Sequence, residues 1–389
     1  MKIILVILLL ICLSSINIRA QGHWTRKADY VKMYRLRAVG FSIGSKGYIG
    51  TGYDVNIANK NFWEYDTTTN IWTQKADFGG TICWGAIGFA IGMKGYIGTG
   101  NDGDIINDFW EYDPATNLWT QRADFIGTSR GWAVGFSIGT KGYIGTGYDS
   151  SYTNDFWEYD PVINQWSQKA NFSGTARTGA VGFSIGTKGY IGTGYDGFNF
   201  LYDFWEYNPI INQWKQKVDF AGTARSGAVG FSMGTKGYIG TGNDGKIKKD
   251  FWEYNPEKNT WVQKADFKGA GRYNAIGFAI GSKGYVGLGD DGINYFKDFW
   301  EYDSGIEIIK PTLLIPANNA TGVFTSPIFN WDEVPGATSY TIELSTTSDF
   351  QSPSSTILST TEWKRTTPLN YSTQFFWRVN ATDGIQTTP

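Results

Sequence analysis

GYIGTG, residues 47–52, returns at Gly95, Gly142, Gly189 and Gly237, and once more as GYVGLG from Gly284. A second phrase, FWEY, follows each copy, starting at Phe62, Phe109, Phe156, Phe204, Phe251 and Phe299. Both series advance by 47 or 48 residues, and no helical periodicity runs inside the interval. A repeat of that length built only from strands points to one four-stranded sheet per copy, with the sheets set radially as a propeller.

The fourth copy reads strand by strand. GAVGFSIG (residues 179–186) alternates small residues with Val181, Phe183 and Ile185, the pattern of a strand with one crowded face. Thr187 and Lys188 turn tightly into GYIGTG, the second strand. A variable loop follows, then DFWEY (residues 203–207) as the third. NPIIN reverses the chain, with Pro209 favouring the first central position and Asn212 tolerating a left-handed one. QWKQKVDF (residues 213–220) is the outer strand.

HWTRKADY, residues 23–30, matches that outer strand but has no FWEY ahead of it, and the sixth FWEY has no W-x-Q-K phrase behind it. The two orphans complete each other if the last sheet takes its fourth strand from the N-terminus. The ring then closes at six, and two free sheet edges disappear.

The order G-aromatic-I-G-x-G, aromatic-W-x-Y-D-P, x-x-N-x-W resembles kelch repeats, with Thr-Gly where the kelch double glycine usually stands. The resemblance covers residues 21–305. It is specific for fold and weak for function, because kelch propellers include enzymes and many non-enzymatic binding proteins. Beyond Asp303 the pattern stops. FNWDEVPGATSYTIELS and YSTQFFWRVNATDG resemble a fibronectin type III domain, with Trp331 as core tryptophan and Tyr340 and Trp377 on its strands. The expected architecture is therefore all-β: a six-bladed kelch-type propeller over residues 21–305, a linker over 306–311, and a fibronectin type III-like sandwich over 312–389 that lacks its final strand.

The first twenty residues place Lys2 before an apolar run from Ile3 to Leu13, then a polar stretch ending in Ala20. This reads as a secretory signal, too short in its apolar part to span a bilayer. A lipid anchor at Cys12 is the minor alternative, since Ile11 stands where a small residue is needed. Removal of the signal leaves Cys83 alone, so the exported chain has no internal disulfide. A net charge of −2 over 389 residues gives no electrostatic reason for a nucleic-acid partner.

Candidate chemistry narrows quickly. Galactose oxidase is built on a kelch-like propeller, but its copper site needs two histidines, and His23 is the one histidine here. A histidine-dependent triad and an ordinary catalytic zinc site fail on the same inventory. GNDGDIIND has no established calcium-loop spacing. Twelve of the seventeen tryptophans occupy two repeated positions and so belong to packing between blades, which leaves Trp84 and Trp132 as candidates for ligand stacking. Aspartates recur after the second strand (Asp54, Asp102, Asp149, Asp196, Asp244, Asp291) and before the third, where loop turns use them, and no two stand out as a glycosidase pair.

Aligned on the first strand, Arg35, Cys83, Arg130, Arg177, Arg225 and Arg272 share one position. Strand order puts them on the same face as the variable loops. Two readings stay open: the five arginines form an anion-preferring mouth, or each braces its blade by pairing with a loop aspartate. Under the first, Arg177→Ala and Arg225→Ala weaken ligand binding and barely move the melting temperature. The function expected is that of a secreted or periplasmic monomer, in one version held at the cell surface. It binds a glycan or a protein through Arg35, Arg130, Arg177, Arg225, Arg272, Trp84 and Trp132, with no metal, cofactor or membrane span. The alternative is a carbohydrate-active enzyme of mutarotase/epimerase or glycosidase type on the same face; an exported kelch-like sialic acid mutarotase is similar in blade number and export.

Overall fold

The computed structural model describes residues 22–31, 34–54, 57–305, 311–334 and 337–382. Residues 1–21, on which the expected export signal and Cys12 fall, residues 306–310 of the expected linker and residues 383–389 lie outside the described residues. The chain divides into two compact units, Met1–Gly305 and Ile306–Pro389.

The first unit consists of six four-stranded antiparallel sheets and resembles a β-propeller. In the fourth sheet, Val181–Ile185, Lys188–Gly192, Phe204–Asn208 and Gln213–Gln216 pair in chain order. The alternation in the first strand has a direct cause. Val181, Phe183 and Ile185 are buried, and the small residues receive the preceding sheet. A Cβ at Gly189 would lie 2.6 Å from the ring of Phe136, and one at Gly182 would lie 2.8 Å from Val134. Each sheet thus sets a row of large side chains into a row of glycines.

The FWEY phenylalanine lies at the centre of each inter-sheet contact. Phe156 is fully buried and meets Tyr207 and Trp214 of the next sheet edge-on, with ring centroids 4.9 Å apart in both pairs. Such pairs add about 0.5 to 1.5 kcal/mol each beyond their buried area. Outer-strand tryptophans also cross between sheets: the indole N–H of Trp214 donates to the Ala170 carbonyl at 3.0 Å, and that of Trp166 to Ala123 at 2.9 Å. The aromatic richness of the sequence is accounted for by these contacts.

In the last sheet, Ile276–Ile280, Lys283–Gly287 and Phe299–Asp303 are joined by His23–Arg26. The borrowed strand keeps the repeat's chemistry. Trp24 packs 5.0 Å from both Phe251 and Phe267 and donates to the Ala265 carbonyl. Lys27 lies 3.1 Å from Glu301, as Lys75 and Lys217 lie beside Glu64 and Glu206. Gly22 takes the left-handed φ of 73° at the position where Asn70 and Asn212 hold 57° and 51°. Each first strand touches that of the following sheet, and Ile276–Ile280 touches Val39–Ile43.

In the second unit, Leu313–Ile315, Ile328–Trp331 and Glu362–Lys364 form one sheet, and Ser339–Ser345 lies between Ser354–Leu358 and Phe376–Thr382 in the other. Trp331, Tyr340, Ile342 and Val379 bury their side chains in one cluster fed by both sheets. No helix among the described residues is long and apolar enough to cross a membrane.

Candidate functional site

The variable loops and the residues preceding each first strand share one face, joined by isolated bridges such as Thr178 with Tyr195 and Tyr273 with Asp290. The five arginines are on this side of the sheets but do not reach solvent: Arg35 is 1% exposed and the other four 0%. Arg177 pairs with Asp203 through two hydrogen bonds of 2.5 and 2.8 Å, and its other donors go to the Thr193 and Thr175 carbonyls. Arg225 does the same with Asp250, Arg272 with Asp298 and Arg130 with Asp155. Each of these four guanidiniums also lies over a phenylalanine, as Arg272 does 4.7 Å from Phe267. The expectation of an arginine-lined mouth is corrected here. A guanidinium with no exposed surface and these donors committed has none for a ligand, and the bracing alternative is the one the contacts describe.

The brace holds a strained turn. Thr146, Thr193 and Thr241, the Thr of GYIGTG, have φ of 58°, 58° and 60°, a region β-branched residues rarely enter. Their carbonyls accept from Arg130, Arg177 and Arg225. The glycine that follows has positive φ as well and approaches the next sheet closely: Gly194 N–H donates to the Arg225 carbonyl at 2.7 Å, and Gly289 N–H to that of Arg35 at 2.8 Å. Two consecutive left-handed residues explain why a double glycine suits this place. Here threonine stands at the first position and arginine clamps it.

Two neighbouring copies break the pattern in opposite ways. Arg35 faces Asn61 at 2.9 Å instead of an aspartate, and burial lowers its pKa. In the next copy Cys83 replaces the arginine. Asp108 is left with one oxygen shut away from any partner, and burial raises its pKa. Cys83 itself is fully buried, and burial pushes its thiol well above the ordinary range, so it is no nucleophile. Asn61→Asp, which gives Arg35 its anion without a change of shape, should stabilise the protein by about 1 kcal/mol in chemical denaturation. Asp108→Asn should also stabilise at neutral pH. The folded pKa of Asp108 lies above its unfolded value, so the parent gains stability as pH falls between the two. The variant's advantage should shrink over that window, and a constant advantage would refute the assignment.

The mouth itself is built by another position. Arg37, Gly85, Trp132, Gly179, Gly227 and Asn274 occupy equivalent places two residues past the arginine site, all with φ between 53° and 64°. Their backbones form a cycle of hydrogen bonds: Gly85 to Arg37, Trp132 to Gly85, Gly179 to Trp132, Gly227 to Gly179, Asn274 to Gly227 and Arg37 to Asn274, at 2.8 to 3.2 Å. This cycle is the floor of the mouth. Glycine at three positions and asparagine at a fourth suit the left-handed backbone; arginine and tryptophan at the other two are strained there. The Arg37 guanidinium lies 5.4 Å from the Trp132 ring centroid. Trp84 precedes the floor residue of its copy and packs on Tyr53 at 5.6 Å. Both candidate tryptophans are half-buried at this mouth. Over the fourth and fifth copies the floor is bare, with Thr178, Gly179, Ser226 and Gly227. Tyr148, Tyr152 and Tyr195 stand in edge contact along the rim.

The rim aspartates cap their own loops. Asp196 accepts from the backbone of Phe198 and Asn199, Asp291 from Ile293 and Asn294, and Asp54 from Ile57. The backbone N–H of Asn199 and that of Asn294 are the largest influences holding Asp196 and Asp291 below the usual carboxylate range. They are anions at neutral pH, a poor state for a general acid. Arg37 and Asn274 were not singled out from the sequence. The signal was present: where three copies carry glycine, a tryptophan and an arginine stand.

No protein-family model and no curated protein matches this chain. Among solved structures, that of YjhT, a kelch-type propeller, superposes with a TM-score of 0.60 at 16% sequence identity, covering 70% of this chain and 96% of YjhT. At that identity the likeness is one of fold, and the chain has β-propeller architecture.

Proposed function

We propose that this is an exported, monomeric, non-catalytic binding protein whose six sheets form one closed six-bladed propeller and whose loop-rimmed mouth holds a glycan. The observation that carries the reading is Trp132, a strained, half-exposed indole at a floor position where glycine costs less. Large flat aromatic faces beside small hydroxyl-bearing residues suit the apolar face and edge hydroxyls of a sugar ring, and Thr178 and Ser226 supply the latter. The rim aspartates bond their own loops, which favours binding over glycosidase or epimerase chemistry. Closure of the ring is supported by the borrowed strand His23–Arg26 and by the hydrogen-bond cycle returning from Asn274 to Arg37. The second unit is read as a fibronectin type III-like spacer, on the strength of Trp331 packed 5.7 Å from Tyr340 between two sheets. Export rests on residues 1–20.

A glycan-array screen of residues 21–389 tests the function. Binding to a restricted set of saccharides is the expected result; a blank array beside capture of a defined protein partner would replace the glycan with a protein ligand.

A further inference from the structure

We infer that the mouth selects saccharides bearing a carboxylate, and that Arg37 is the residue that reads it; this deepens the glycan-binding reading and rests on it. Arg37 differs from the five buried arginines in being only partly buried and in having no side-chain donor committed to an acceptor among the described residues. It is half-exposed, it forms no ion pair among the described residues, and its side chain donates no hydrogen bond there. Its Nε, like that of Arg35, is shut off from solvent, so the Nη groups are the ones a ligand would meet. A cation held in this way has unmet hydrogen-bonding capacity at a fixed place. The Trp132 ring and a left-handed backbone fix that place, so the planar fork is pre-organised rather than mobile.

The geometry also chooses the anion. A guanidinium fork matches the two oxygens of a carboxylate, and the adjacent indole takes the face of the ring that carries it. Doubly charged or clustered anions fit badly, because the rim loops carry Asp54, Asp102, Asp149, Asp196 and Asp291, with Asp244 offset by Lys248 at 2.7 Å. One carboxylate per sugar, seated at the axis, keeps its charge near Arg37 and away from the rim.

The test uses residues 21–389, trisaccharides of glucuronate, galacturonate and mannuronate, and the same trisaccharides with their carboxyl groups reduced to alcohols. Titration calorimetry should show at least one acidic trisaccharide binding roughly 10- to 100-fold more tightly than its reduced form. Arg37→Gln should erase that difference. Equal affinity for an acidic sugar and its reduced form would overturn the inference and leave the glycan reading standing. An acid preference that survives Arg37→Gln would overturn the role of Arg37. No binding by any of the six would overturn the inference, and a blank glycan array in addition would remove the reading beneath it. Tighter binding of a sulfated trisaccharide than of any uronate would show that charge alone is recognised, and would also overturn it.

Discussion

Arg225→Ala should melt roughly 6 to 20 °C below the parent, a loss of about 3 to 5 kcal/mol at the 2 to 4 °C per kcal/mol usual for domains of this size. The guanidinium is fully buried, takes both oxygens of Asp250 at 2.6 and 2.8 Å, and clamps the Thr241 carbonyl in its left-handed turn. Removing it leaves the largely buried Asp250 carboxylate without its countercharge, held by the Trp252 indole N–H at 2.7 Å, and frees a strained backbone. The pair also sets acid sensitivity. Burial alone would raise the pKa of Asp250, but the hydrogen bonds and charge of Arg225 outweigh it and the net shift is downward. The stability this provides is complete above the unfolded carboxylate pKa and is lost as pH falls through the lower folded value. Arg225→Ala should therefore flatten the acid limb of the stability curve. A melting temperature within 2 °C of the parent would mean that the brace is ornamental, as an exposed ion pair is.

Deleting residues 22–29 should have the larger effect. The strand pairs four residues with the last sheet, buries Trp24 between Phe251, Phe267 and Tyr302, and places Lys27 on Glu301. The tryptophan alone is worth about 3 to 5 kcal/mol. With it go the ladder hydrogen bonds, and the strand Phe299–Asp303 becomes a free edge open to other chains. The truncated protein should aggregate or melt more than about 20 °C lower. Trp24→Ala, which keeps the backbone ladder, should fall between the two. Parent-like melting of the deletion would contradict closure by the N-terminal strand.

Much of the fold is legible because the repeat states each element six times. Period-2 alternation, a Lys-Gly turn and a Pro-x-x-Asn turn recur in register, and Asn212 takes the left-handed conformation read from its place in NPIIN. The arginine position was legible too, but its exposure was not. Whether Arg177 faces solvent depends on Asp203, 26 residues on, coming under the same loop, and adjacency in sequence carries no trace of that. The left-handed threonines were hidden for a similar reason. A Thr-Gly pair reads as the end of a strand, and only the clamp on its carbonyl makes the strain tolerable. Arg37 stands two residues past the repeated arginine, and only the folded backbone places it in the left-handed cycle of hydrogen bonds.

The buried arginines hold the architecture, and the Arg37–Trp132 pair is proposed to meet the ligand. Trp132→Gly tests it most directly, because glycine is the residue of the equivalent positions 85, 179 and 227 and accepts the φ of 54° freely. The measurement is the affinity of this variant for the tightest saccharide found on the array, by calorimetry, with its melting temperature recorded on the same sample. Affinity should fall at least tenfold with melting within about 2 °C of the parent, as relief of backbone strain offsets the lost indole contacts. Parent-like affinity in a variant that folds normally would contradict it.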